Sequence, residues 1–76
     1  MHVQISYEVC YQLLHKMSMM SREQWNEFDN KQRMKMESLK SKLDIFKRVC
    51  YLSADTKSTF PIYIDDMPLV LEILKK

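Results

Sequence analysis

No glycine occurs anywhere in this 76-residue chain. Phosphate-cradling loops, dinucleotide fingerprints and tight ligand turns need glycine to reach positive φ or to let a ligand approach the main chain. None of these devices is available here. Glycine also supplies the usual left-handed residue that ends a helix, so a helical pattern in this sequence runs on until something else interrupts it.

The pattern begins with a short strand. His2-Val3-Gln4-Ile5 alternates polar and apolar residues, which predicts a half-buried strand with Val3 and Ile5 inward. Ser6 has the character of an N-cap. From Tyr7 the spacing changes to three or four (Tyr7, Cys10, Leu14, Met17), with Val9, Leu13 and Met20 widening the apolar arc, and predicts a first helix over Tyr7–Met19. Ser21-Arg22-Glu23-Gln24 then forms a capping box and opens a second helix.

That second helix meets no proline before Leu52, and from Met36 its apolar residues (Met36, Leu39, Leu43, Phe46, Cys50) recur at alternating intervals of three and four. Unbroken from Arg22 to Ser53 it would be roughly 48 Å long, whereas a compact chain of this size has a radius of gyration of about 11 Å. Either it breaks, with Asp29-Asn30 the weakest point, or it packs along a second copy. A homodimer is the favoured expectation, and it would also let two copies join their short strands.

Asp55 to Thr59 forms a polar loop. Phe60, Ile62 and Ile64 alternate with Pro61, Tyr63 and Asp65, a second strand that Pro61 confines to an edge. Asp65 or Asp66 is expected to cap a final helix with Pro68 in its first turn, where a missing N–H costs nothing. The expected fold is therefore mainly α with two short strands, in the order β-α-α-β-α, around a long central helix. Residues 1–76 make one small domain.

Composition limits the function. Net charge is +2, from 12 Lys and Arg against 10 Asp and Glu, too little by itself to imply nucleic acid or an anionic membrane. Leu69 to Leu74, the longest strongly apolar stretch, is interrupted by Glu72 and is far short of a bilayer span. Met1 to Ser6 lack the pattern of a secretory leader, and two cysteines make no disulfide framework, which together suggest the reducing cytoplasm. His2, His15, Cys10 and Cys50 have no recognised metal-ligand spacing, and the thiols are expected to be buried. The Asp65-Asp66 pair is explained by helix capping. No catalytic, cofactor-binding or metal-binding residue is expected, nor a small-molecule substrate.

Two sets of residues suggest binding to macromolecules. Trp25 and Phe28, near the start of the second helix, and Met19 and Met34, which project from polar arcs, are the expected partly exposed anchors for another protein. Ile45 and Leu52 also project from a polar arc, so part of the second helix carries two apolar lines. The alternative is a nucleic-acid contact through Lys31, Arg33, Lys35, Lys40, Lys42, Lys47 and Arg48. On a helical wheel these split: Lys31, Lys35 and Lys42 flank one side of the Met36–Cys50 seam, while Arg33, Lys40 and Lys47 flank the other.

In general character, a small Gly-free chain rich in Met, Lys and Tyr, the sequence resembles bacteriophage-encoded or accessory proteins that bind and redirect a host protein. That resemblance is one of type and implies a partner class alone. The expectation is thus a small, non-enzymatic, protein-binding regulator or inhibitor that acts through helix faces, in the cytoplasm of the host cell if phage-encoded.

Overall fold

In the computed structural model, which describes residues 1–76, strand β1 (His2–Ser6) leads into helix α1 (Tyr7–Met19), a short helix α2 (Arg22–Asn26) and a long helix α3 (Asn30–Leu52). Strand β2 (Thr59–Tyr63) follows, then a 3-10 turn over Ile64–Asp66 and helix α4 (Met67–Lys75). The two strands pair antiparallel, with His2 opposite Tyr63 and Ser6 opposite Thr59.

Helices α1, α2 and α3 each begin where a side chain satisfies free N–H groups. Ser6 Oγ accepts from the Val9 N–H at 3.2 Å and starts α1 at the predicted residue. Ser21 and Gln24 form the expected capping box for α2. Met20 and Trp25, which flank that box at the positions of a hydrophobic staple, both pack against the core.

The second helical pattern is not continuous. It stops after Asn26 and restarts at Asn30, because Asp29 takes an extended backbone and forms a second capping box with Gln32: Asp29 Oδ1 accepts from the Gln32 N–H at 2.7 Å, and Gln32 Oε1 accepts from the Asp29 N–H at 3.1 Å. Phe28, in the elbow between α2 and α3, drops into the core. Lys76 closes over this elbow, pairing with Glu27 and placing its ammonium 5.3 Å from the Phe28 ring. The break falls at the weak point expected and removes the length argument for a dimer, since the 23 residues of α3 span about 34 Å inside a molecule 36 Å in its longest dimension.

The far end of α3 stops without glycine. Ser53 is the cap, and Ala54 takes the left-handed conformation with φ of 53°. The Asp55 N–H then reaches the Cys50 carbonyl at 2.8 Å and the Ala54 N–H reaches the Tyr51 carbonyl at 3.2 Å, the paired bonds of a Schellman motif. The helix thus ends just before the expected Asp55 loop; the expected lack of a strong stop upstream is what the Asp29 and Gln32 capping box corrects. Asp55 extends the turn: the Ser58 hydroxyl donates to its Oδ2, and its Oδ1 accepts from the Lys57 and Ser58 N–H groups at 2.9 and 3.1 Å, which together hold its carboxyl below the usual range.

One core joins all of these elements. Leu13, Met36 and Ile73 are inaccessible to solvent, with Ile5, Cys10, Met17, Phe28, Leu43, Ile62 and Val70 around them. The α3 seam is spent inside the chain: Met36, Leu43 and Cys50 are buried, while Leu39 and Phe46 are half-buried. Phe46 meets the Phe60 ring edge-on at 5.4 Å, which ties α3 to β2. One expectation fails near β2 and another holds in position alone. Ile64 is exposed, because the strand ends at Tyr63 and the chain coils into a 3-10 turn. Asp66 stands at the N-cap position of α4, as expected, but its side chain makes no cap bond and pairs with Lys35 at 2.9 Å.

Candidate interaction surface

α3 is polar by composition but its charges are not evenly spread. At 100° per residue, Met34, Ser38, Ser41, Ile45, Val49 and Leu52 fall on one stripe, on the side opposite Met36 and Leu43. The structure leaves that stripe open to solvent. Met34 is 71 % exposed, Ile45 63 %, Val49 58 % and Leu52 84 %. Ile45, Val49 and Leu52 adjoin one another on successive turns, with Met34 further up the same line beyond Ser38 and Ser41, more than the single scattered apolar residues that a soluble surface normally shows.

Charged residues border the stripe unequally. Lys31 and Lys42 stand along one edge with no carboxylate in reach, and Lys35, deeper on the same side, is held by Asp66. Glu37 and Asp44 stand along the other, where Asp44 pairs with Arg48 at 3.3 Å. Near the end of α3, Leu52 and the exposed Tyr51 ring line a shallow, mainly apolar depression of about 400 Å³ with Lys47 and Arg48.

The expected protein anchors do not form one site. Met19 and Met34 are exposed, on α1 and α3 respectively. Trp25 is half-buried against the core. Phe28, at 2 % exposure, is a core residue and not a surface anchor, because the elbow turns its ring inward. Val49, absent from the expected set, belongs to the exposed stripe; its place one turn beyond Ile45 was the available signal.

The basic residues are likewise divided. Arg33 bonds to Asn26 Oδ1 at 3.2 Å and to Asn30, and the Lys47 ammonium sits 4.7 Å from the Tyr11 ring. Lys40 and Lys47 line a groove between α1 and α3 that also contains Asp44. Lys31 and Lys42 lie on the opposite side of α3. The chain therefore presents no single face on which all seven cations converge.

Titratable chemistry is sparse. Burial pushes the Cys10 thiol up to about 11, with a further contribution from Cys50, and burial also raises the Cys50 thiol, with Asp55 second. Both cysteines are free. Neither thiol has the thiolate character needed of a nucleophile near neutral pH. No cluster of His, Cys, Asp or Glu is arranged to hold a metal ion, and no helix is long and apolar enough to cross a membrane. No protein family matches the chain, and no curated protein or solved structure is significantly similar to it.

Proposed function

We propose that this protein is a small, non-enzymatic, protein-binding regulator that acts by occupying a partner's surface, as an accessory protein of the kind that redirects a host protein would. The observation that carries this reading is the exposed stripe Met34–Ile45–Val49–Leu52 on the side of α3 turned away from the core. Its occupant is an amphipathic helix of another protein, acidic along the edge that meets Lys31 and Lys42. Helix faces bind one another through apolar anchors at such spacing, while free lysines along one border select charge on the incoming helix. The free, buried thiols of Cys10 and Cys50 suit the reducing cytoplasm.

The test is affinity capture from a cell extract using wild type, Ile45→Asp with Leu52→Asp, and Lys31→Glu with Lys42→Glu. All four positions are exposed, so both double variants should retain the wild-type circular dichroism spectrum. Wild type should retain a protein partner after nuclease treatment, and both variants should lose it. Loss of the captured material on nuclease treatment would favour the nucleic-acid alternative. Unchanged capture by the Ile45→Asp, Leu52→Asp protein would exclude the stripe.

A further inference from the structure

The pairing of β1 with β2 leaves the two edges of the sheet in different states. The Ile64 N–H donates to the Met1 carbonyl at 3.0 Å, in the same register that places Val3 opposite Ile62 and Gln4 opposite Pro61. Bonded and non-bonded pairs alternate along an antiparallel ladder. Counted from Met1–Ile64, Val3–Ile62 and Ile5–Phe60 are bonded pairs, and the N–H and C=O groups of His2 and Gln4 turn away from β2. The same count turns the Pro61 nitrogen away from β1, where a proline removes no ladder bond.

β2 therefore carries a ring where its outer edge would have a donor; Leu39 and Lys42 of α3 share a groove with Phe60 and Pro61 and also with His2 of β1. β1 has no proline to block its outer edge. Outside the ladder, no hydrogen bond in the chain uses the main chain of His2 or Gln4, and both residues are exposed. An unguarded edge of this kind is a template for another strand.

We propose that the free edge of β1 pairs antiparallel with β1 of a second copy about a twofold axis, giving a four-stranded sheet in the order β2, β1, β1 of the second copy, β2 of the second copy. The strand is suited to itself. Antiparallel pairing keeps Val3 and Ile5 of both copies on the helix-covered side and gives the half-buried Val3 an apolar neighbour across the axis. β1 contains no Asp, Glu, Lys or Arg, so the axis sets no like-charged side chains of these types opposite each other. A sheet of four strands is also better supported than one of two. The inference does not depend on the function proposed above.

The test transfers to β1 the device already present on β2. Gln4→Pro removes the outward donor and places a ring on the edge, while Val3 is already in the extended conformation that a residue before proline requires. Sedimentation equilibrium from micromolar to millimolar concentration should show wild type rising from 9.2 kDa to twice that mass. Gln4→Pro should remain at 9.2 kDa with an unchanged circular dichroism spectrum. Gln4→Ala loses the side-chain bond to Thr59 but keeps its N–H, and should dimerise like wild type. Wild type that stays at the mass of one chain at millimolar concentration, or a folded Gln4→Pro that still dimerises, overturns the proposal. Hydrogen exchange on wild type gives a readout free of any substitution: protection of the Gln4 amide should increase with chain concentration, and an amide that exchanges freely throughout refutes the pairing.

Discussion

Replacing Ala54 with glycine should stabilise this protein, and the structure sets the size of the effect. Ala54 is the left-handed residue of the Schellman turn after α3, at φ of 53°. An L-residue with a Cβ is disfavoured in that conformation by about 1–2 kcal/mol. Glycine relieves this crowding, but it also gives the unfolded chain more freedom, which offsets about 0.5–1 kcal/mol. The Ala54→Gly protein should therefore gain about 0.5–1 kcal/mol, equivalent to a rise in Tm of roughly 3–6 °C for a chain of this length. Urea unfolding at one fixed chain concentration is the appropriate assay, with the midpoint moving up and the slope unchanged. Ala54→Val should move the midpoint down, because a β-branched residue fits this region poorly. If Ala54→Gly is no more stable than wild type while Ala54→Val is tolerated, the helix does not end through a strained alanine and the account of its termination fails.

Four further outcomes follow from other parts of the fold. Asp29→Ala, which removes the cap of α3, should lower stability by about 1 kcal/mol in chemical denaturation and weaken protection of the Gln32 amide. Leu13→Ala opens a cavity at a position with no solvent exposure and should cost about 2–5 kcal/mol, enough to unfold much of the population at moderate urea. The Asp55 carboxyl titrates lower folded than unfolded, so its contribution is present above the unfolded pKa and lost as pH falls through the folded one; Asp55→Asn should flatten the acid limb of a stability profile. Cys10 has the opposite sign. Its folded pKa is raised to about 11, so its contribution is complete below the unfolded value and lost as pH rises towards the folded one. Both thiols should react slowly with Ellman's reagent until denaturant is added.

Spacing alone located the elements that pack by regular period. Tyr7–Met19 follows from its apolar arc, and Ser6, Ser21 and Pro68 mark helix starts for reasons that depend only on nearby residues. The elbow at Phe28 was half visible. Asp29 and Asn30 suggested weakness, but the decisive device is the reciprocal pair Asp29 and Gln32, three residues apart inside a pattern otherwise read as continuous helix. The turn at Ala54 gave no warning, since a left-handed position is normally announced by Gly or Asn; here an alanine fills it. Ile64 misled because alternation continued one residue past the strand, and Asp66 misled only in its side chain, which a distant lysine, Lys35, draws away from the cap bond. The stripe on α3 was partly legible through Met34, Ile45 and Leu52, whereas the burial of Phe28 depends on the direction in which the elbow folds.

The position of β1 and β2 in the chain also has a consequence for how the protein is made. β1 is synthesised before its partner β2, which begins 53 residues later than β1 ends, at Thr59 after Ser6. At about 5–20 residues per second, the first strand waits roughly 3–10 s with both edges unpaired. The core waits longer, because Leu69, Val70 and Ile73 arrive on α4 after β2. During that interval α1 and α3 can form by local contacts while the sheet cannot close. A newly made chain thus passes through a helical stage that displays the β1 strand, and whatever cell makes this protein must keep that strand from neighbouring nascent chains until β2 emerges.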